Sequence, residues 1–366
     1  MKLFAAVLTL LGAALAAIPT VAVPSVAAAQ SADAFQRVLD RYLEEEGLPG
    51  GVLLASAPGR RIVVVSGVAD RKTKRPVDAD TRFYVASVGK MTVATAALQL
   101  VQEGKLSLDA PAASLVGGVP DVGKLANVRK ATLEQLLTHT SGIPDYLTDD
   151  FYTLYYKAAR PLTPADALPY AYGQDATSKP GKAYEYCNSN YVLLGDIIAA
   201  ADGRSFADVL KRRVFDPAGM TRSTVGADAG EANLARGYGD PEENGKLRDV
   251  SRGAWFSHLG DGPLVSTAGD LERFAFALFR DGKLLRPKML ERMWTATPLE
   301  AGYGMGLEIS HDRWGDWVGH TGLETGFEAE VRYYPERQAV LVFMTNGNST
   351  SDDSVLDRAA NALFKR

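Results

Sequence analysis

The sequence is poor in the side chains that most often bind metals or cross-link a fold. Cys187 is its only cysteine, so the chain can form no internal disulfide. Its four histidines are scattered and lack the spacing of zinc ligands. The net charge of −4 argues against a nucleic-acid partner. We therefore expect a protein with no metal, no other cofactor and no nucleic acid, whose core holds without cross-links.

Long apolar runs are also scarce, and the one that is present lies at the N-terminus. It follows Lys2 and ends before a short run of alanines, an order typical of a secretory signal peptide over residues 1–29. A membrane anchor is the weaker alternative, because Pro19 and Pro24 interrupt the run. We expect cleavage after Ala29, export to the periplasm or the medium, and no membrane anchor afterwards.

Hydrophobic periodicity predicts strands near both ends of the mature chain and helices between them. Residues 30–110 and 255–366 are predicted to form one α/β domain, and residues 111–254 a mostly helical domain. The expected fold class is α+β, an α/β sandwich whose antiparallel sheet is built from N- and C-terminal segments and flanked by helices. The main predicted elements are the helix Ser31 to Glu46, strands Val52 to Ala55 and Arg61 to Val68, the helix Ser87 to Gln102, strands Gly302 to Ile309, Trp314 to Gly319, Thr325 to Tyr334 and Ala339 to Asn346, and the helix Asp352 to Phe364.

The stretch Gly226 to Gly253 differs from its surroundings because it is polar and has little periodicity. We expect an irregular loop there. Loops of this length often form the rim or lid of a functional site.

A Ser-x-x-Lys sequence, Ser87 to Lys90, stands at the head of an apolar helix. Residues at i and i+3 share one helix face, so the lysine amine could take the serine proton if burial keeps that amine neutral. The Ser87 amide at a helix N-terminus could also stabilise an oxyanion. Alone the motif is weak, since a helix-capping serine and a solvated lysine give the same pattern.

A second polar group, Tyr186-Cys187-Asn188, precedes another apolar helix. A tyrosine phenol beside a lysine can act as a general base or proton shuttle, and an asparagine amide can donate to and accept from a substrate. Packing of Tyr186 and helix capping by Asn188 are the alternatives. Cys187 is expected to be a small buried residue rather than a nucleophile.

A third group, Gly319-His320-Thr321-Gly322, leads into a predicted strand. Its glycines would allow a substrate to approach the backbone closely, and the Leu323 amide could be a second oxyanion donor. His320 and Thr321 could bind a substrate carboxylate or support the proton network of Tyr186.

Taken together, the chain resembles the serine β-lactamase and DD-peptidase superfamily, in the branch of class C β-lactamases, DD-carboxypeptidases, D-aminopeptidases and related esterases. The resemblance implies that Ser87 is the acylated nucleophile, Lys90 its base and Tyr186 a second base. It also implies that Asn188 contacts the substrate and that His320 occupies the third-motif position. The segments that carry the resemblance are Phe83 to Lys90, Gly104 to Asp109, Leu136 to Pro144, Tyr186 to Tyr191 and Val265 to Leu271.

Two departures from the family pattern bear on the substrate. His-Thr-Gly stands where β-lactamases and many DD-peptidases carry Lys-Thr-Gly, and histidine is cationic only below roughly pH 6.5. Gly262-Pro263-Leu264 also replaces the usual Ala-Gly-Gly. A Ser-His triad through His139 and Ser141 is rejected, because that run resembles a structural turn of the family.

The sequence therefore predicts an exported serine hydrolase that forms an acyl-enzyme on Ser87. Its binding partner would be its substrate, which would be a small ester, a D-amino-acid peptide or a β-lactam. The alternative is a binder of penicillin or cell-wall peptides that is acylated but scarcely turns over.

Overall fold

The computed structural model describes residues 26–350 and 353–365. The predicted leader lies outside the described residues as far as residue 25. Helix α1 begins at Val26, so the predicted start at Ser31 is wrong. The alanines before it are strong helix formers and extend the helix. Within the described residues, no helix combines the length and apolar character needed to span a bilayer.

A seven-stranded antiparallel sheet forms the centre of the fold, with the strand order β3-β2-β1-β12-β11-β10-β9. It joins N-terminal strands directly to the last strand, as predicted: Gly51 on β1 faces Thr345 on β12. The sheet strands are β1 (Gly50–Ala57), β2 (Arg60–Asp70), β3 (Arg75–Pro76), β9 (Glu308–Asp312), β10 (Gly315–Glu324), β11 (Phe327–Tyr334) and β12 (Ala339–Thr345). Shorter strands, β4 (Phe83–Tyr84), β5 (Thr224–Val225), β6 (Tyr238–Gly239), β7 (Arg248–Asp249) and β8 (Leu264–Ser266), form a three-stranded sheet and a two-stranded one.

The helices of the described residues cover the sheet and fill the middle of the chain. They are α1 (Val26–Glu45), α2 (Lys90–Gln102), α3 (Leu133–Leu137), α4 (Asp149–Tyr156), α5 (Pro164–Ala167), α6 (Asn188–Asp202), α7 (Phe206–Leu210), α8 (Asp216–Ala218), α9 (Ser251–Trp255), α10 (Ala268–Ala275), α11 (Pro287–Met293) and α12 (Val355–Phe364). Residues 111–254, all of them described, supply helices α3 to α9 and no strand of the large sheet.

Both faces of the large sheet are buried because alternate residues of β1 enter two different clusters. Leu53 packs with Phe35 of α1 and Leu356 of α12 on one face. Leu54 packs with the larger cluster on the other face, which includes Leu98 of α2 and extends into the helical segment. The mixed α+β architecture expected from the sequence is thereby confirmed.

Three local predictions differ from the structure. The strand expected from Gly302 begins only at Glu308, after a run of turns. The Gly226 to Gly253 stretch holds the β6–β7 hairpin and helix α9 rather than an irregular loop. The third motif lies inside β10 instead of leading into a strand. Gly319 is required there by close strand packing, since a Cβ would lie 1.8 Å from the Val331 carbonyl oxygen.

Candidate active site

The Ser87 side chain is presented by a tight turn at the head of α2. Residues Ala86–Gly89 form a 3₁₀ turn and α2 starts at Lys90. Residues at i and i+3 are eclipsed in a 3₁₀ turn, so Ser87 and Lys90 face each other more directly than on an α-helix. Ala86 has a φ of 45°, which is unfavourable for a residue with a Cβ. The backbone is therefore held in a strained conformation next to the serine.

Lys90 is fully buried and its ammonium group has three acceptors. Its Nζ atom lies 2.8 Å from Ser87 Oγ, 2.9 Å from Asn188 Oδ1 and 2.7 Å from the backbone oxygen of Asp261. Three acceptors match the three N–H donors of a lysine side chain. The motifs around Ser87 and Asn188, separate in the sequence, thus meet at one nitrogen.

The orientation of the Asn188 amide is fixed by Asp145. Asp145 Oδ2 accepts the Asn188 backbone N–H at 2.8 Å and its Nδ2 amide at 3.0 Å. Asn188 Oδ1 must therefore face Lys90. When Lys90 is neutral it keeps two N–H donors, and the oxygens of Asn188 and Asp261 can only accept. Its lone pair then points to the Ser87 hydroxyl, the one partner that can donate.

Burial makes this neutral state accessible. Desolvation lowers the pKa of Lys90 to about 8, against the opposing charges of Asp261 and Asp145. A substantial fraction of the amine is therefore neutral near pH 8, which is the condition for a lysine general base.

Tyr186 lies at the edge of the cleft, with 40% of its surface exposed. Its ring centroid is 4.9 Å from Lys90 Nζ. Desolvation raises the pKa of its hydroxyl, and a hydrogen bond with the Ser87 side chain opposes that effect. The phenol therefore holds its proton in the resting structure, which favours a role as proton donor or shuttle over that of a resting-state base.

His139, rejected as a triad member, lies directly behind Tyr186. The two rings stack with centroids 4.2 Å apart, and His139 Nδ1 accepts the Cys187 backbone N–H at 3.1 Å. Ser141 donates instead to Asn190 Oδ1. Burial lowers the pKa of His139 well below its usual value, so this imidazole is neutral. The His139 ring packs against the Tyr186 ring and so sets its tilt.

His320 is also buried, and both of its ring nitrogens have partners. Nε2 lies 3.0 Å from the Tyr303 hydroxyl and Nδ1 lies 2.5 Å from the Thr321 backbone oxygen. Desolvation lowers its pKa, although Glu308 opposes this. A neutral, partnered imidazole gives little support to a carboxylate anchor. The His320 and Tyr186 ring centroids are 6.3 Å apart, so the other role expected for His320, support of the Tyr186 proton network, stays a prediction.

The remaining residues of the third motif belong to β10, the strand that passes close to Ser87. A Cβ on Gly322 would lie 2.3 Å from the Val85 oxygen and 3.2 Å from the Ser87 nitrogen. Gly322 thus leaves room for the backbone of the Ser87 turn. The sequence had suggested that it leaves room for a substrate. Thr321 donates through its backbone N–H and its hydroxyl to Glu308. Leu323 projects into solvent beside the cleft, with 67% of its surface exposed.

Comparison with known proteins agrees with this geometry. The family model for β-lactamase matches residues 35–365. The chain belongs to the β-lactamase family. As a serine hydrolase of that family it is similar to penicillin-binding protein 4 of Amycolatopsis lactamdurans, with 29% identity over 86% of this chain and 84% of the relative. It is also similar to the D-aminopeptidase of Brucella anthropi, with 28% identity over 81% of this chain but only 56% of that protein.

Solved structures of related hydrolases share the fold. The D-amino acid amidase of Ochrobactrum anthropi SV3, complexed with L-phenylalanine amide, superposes with a TM-score of 0.76 and 27% identity, over 91% of this chain and 97% of that one. A D-stereospecific amidohydrolase from Streptomyces gives a TM-score of 0.77 and 26% identity, over 91% and 98% of the two chains.

Sequence reasoning missed the carboxylates of this β-lactamase-family site, which are Asp145, Asp261, Glu308 and Glu324; the first two lie beside recognised motifs. Asp145 directly follows the segment ending at Pro144, and Asp261 directly precedes the atypical Gly262-Pro263-Leu264. Both were adjacent to recognised motifs, and their charge in an otherwise apolar or glycine-rich run was the available signal. Among the described residues, no group of three or more acidic, histidine or cysteine side chains is arranged to hold a metal ion.

Proposed function

We propose that this protein is an exported serine hydrolase that cleaves small amides or esters through an acyl-enzyme on Ser87. The observation that carries the proposal is the 2.8 Å contact between Lys90 Nζ and Ser87 Oγ, in a geometry that directs the lysine lone pair to the serine. A hydroxyl is a weak nucleophile until such a base takes its proton.

The reaction follows from the positions of the protons. Neutral Lys90 takes the Ser87 proton as Oγ attacks the carbonyl carbon, and the backbone amides of Ser87 and Leu323 are proposed to stabilise the oxyanion. Tyr186 gives its proton to the leaving amine or alkoxide, the bond to the leaving group breaks, and the Lys90 ammonium group returns a proton to Tyr186. Water then attacks the acyl carbon, gives a proton back through the same groups, and releases the acid and free Ser87.

Charge in the cleft favours amides with no carboxylate beside the scissile bond. Its described lining contains no lysine or arginine, and His320 is neutral. β-Lactams and peptides ending in a carboxylate would lack a cation to hold them. The similarity to a D-aminopeptidase and a D-amino acid amidase supports the same preference.

A penicillin binder that is acylated but scarcely turns over is the second candidate, supported by the similarity to penicillin-binding protein 4. Ser87, Lys90 and Tyr186 are all present, which favours turnover. Steady-state hydrolysis of p-nitrophenyl butyrate separates the two, because a binder gives one burst of product and then stops.

The nucleophile is tested by labelling with a fluorophosphonate and locating the adduct by mass spectrometry. We expect the adduct on Ser87, its loss in Ser87→Ala, and normal labelling in the control Ser114→Ala. An unlabelled Ser87, under conditions that label another serine hydrolase, would refute the proposal. Rates on nitrocefin, a D-Ala-D-Ala peptide, a D-amino acid amide and a short-chain ester then rank the substrates.

Export is proposed from the leader alone. Expression of the full chain in a bacterial host, followed by fractionation and N-terminal sequencing, is expected to give a mature protein that starts at Gln30 outside the cytoplasm. A full-length cytoplasmic product would contradict this part of the proposal.

A further inference from the structure

The cleft in front of Ser87 is strongly acidic. Its volume is about 360 Å³, and its lining includes the carboxylates of Asp261, Glu308 and Glu324. Glu308 is already engaged, since it accepts two hydrogen bonds from Thr321. The other two carboxylates line the cleft together with Tyr84 and Tyr152, and both are close enough to act on those tyrosines electrostatically.

Asp261 is nine-tenths buried and only half satisfied. Its Oδ2 atom accepts a hydrogen bond from the Tyr146 hydroxyl at 2.8 Å. Its Oδ1 atom is buried but has no hydrogen-bond partner in residues 26–350 and 353–365. An unsatisfied buried carboxylate oxygen is costly, so its presence in a cleft points to a donor that arrives with the ligand.

Glu324 contributes a second carboxylate close to Asp261. It accepts the Thr325 backbone N–H at 2.8 Å. Desolvation raises its pKa to about 7, and the charge of Asp261 adds to that effect. Two carboxylates that oppose each other's ionisation are both stabilised by a cation placed between them.

We propose that Asp261 and Glu324 bind the ammonium group of the substrate, next to the carbonyl that Ser87 attacks. This inference rests on the proposed function and specifies its substrate class: amides or peptides with a free α-amino group. Carboxylates and the aromatic rings of Tyr84 and Tyr152 are the groups that recognise an ammonium ion. The acidic lining would also repel substrates that carry a carboxylate at this position.

The experiment compares three p-nitroanilides that differ in one substituent: D-alanyl with an ammonium group, D-lactoyl with a hydroxyl, and propionyl with hydrogen. Rates are measured at about pH 7, where an α-amino group with a pKa of about 7.7–8.0 is mostly protonated. The ratio of kcat/KM for the D-alanyl to the propionyl compound is the readout, because a general loss of folding or of Ser87 reactivity cancels in it.

We expect this ratio to be well above one for the wild type and to fall roughly tenfold in Asp261→Asn and in Glu324→Gln, since each loses a hydrogen bond to a charged group. Asparagine keeps an oxygen to accept from Tyr146, which protects the fold. The matched control, Glu336→Gln in the exposed turn after β11, should keep the wild-type ratio.

Each outcome is decisive. A wild-type ratio near one, or a ratio unchanged in both variants, would overturn the ammonium site while hydrolysis of the neutral compounds leaves the proposed function intact. A failure to hydrolyse any of the three compounds, together with an unlabelled Ser87, would overturn both proposals.

Discussion

Asp145 determines which end of the Asn188 amide faces Lys90. One carboxylate oxygen of Asp145 holds both N–H groups that Asn188 presents, so only the amide oxygen is left for the lysine. Asp145 does not itself line the cleft; it lies behind Asn188 and Leu147, which do. It is a positioning residue that acts on the lone pair of Lys90 through one intermediate side chain.

Replacing Asp145 with asparagine tests this chain of contacts. An asparagine at 145 can donate as well as accept, which lets the Asn188 amide flip and turn its Nδ2 donor towards Lys90. The lone pair of a neutral Lys90 would then accept a hydrogen bond from Asn188 Nδ2 instead of from the Ser87 hydroxyl. We expect kcat for a neutral ester to fall roughly 10- to 100-fold with little change in KM, from the loss of hydrogen bonds to a charged group.

The control is Asp149→Asn, at the exposed start of α4, which should retain normal kinetics. If Asp145→Asn is less stable to heat and its kcat, once corrected for the fraction of folded protein, equals that of the wild type, Asp145 only supports the fold.

The pH dependence of ester hydrolysis should report the ionisation of Lys90. Its base form is the deprotonated one, and its pKa is lowered to about 8. For p-nitrophenyl butyrate, kcat/KM should therefore rise about tenfold per pH unit below this value and level off above it. Lys90→Arg, which stays cationic, should lose most activity, whereas Lys130→Arg on the surface should not. A profile that is flat or falls with pH would exclude Lys90 as the base.

Gly322 should not tolerate a methyl group. A Cβ there would meet the Val85 oxygen and the Ser87 nitrogen, both backbone atoms that cannot move away cheaply. We expect Gly322→Ala to destabilise the protein by roughly 1–3 kcal/mol, as overpacking does, and to slow acylation because the Ser87 turn shifts. Thermal unfolding and fluorophosphonate labelling rates measure the two effects. Gly230→Ala, with open space around its Cβ position, is the control.

Anionic substrates should lose rate relative to neutral ones as pH rises through neutrality, and Glu324 should be the cause. Its pKa is raised to about 7, so the cleft gains a negative charge above that pH. The ratio of kcat/KM for a succinyl ester to that for a butyryl ester should fall across this range and become flat in Glu324→Gln. A cationic His320 that anchored a carboxylate would produce the same fall in both proteins, which is the outcome that would restore that role.

The sequence predicted which side chains meet at the proposed site better than it predicted their surroundings. Ser87, Lys90 and Tyr186 were found because local spacing places hydroxyl, amine and phenol in recognisable motifs. Asp145 and Asp261 were missed because their roles depend on contacts with residues far along the chain, which no local pattern reveals. The third motif was expected to lead into a strand, with glycines that admit a substrate, whereas it lies inside β10, where tertiary packing requires those glycines.

The pairing of β1 with β12 has a consequence for the order in which the chain folds. The β1–β2 hairpin forms early in synthesis, but its other edge is completed only by the last strand of the chain. Contacts so distant in sequence slow folding, because a long loop must close before they form. Until then β1 presents an unpaired apolar edge that is prone to aggregation. The large sheet therefore cannot be completed until β12 has been made, an order compatible with the proposed export of the chain before it folds.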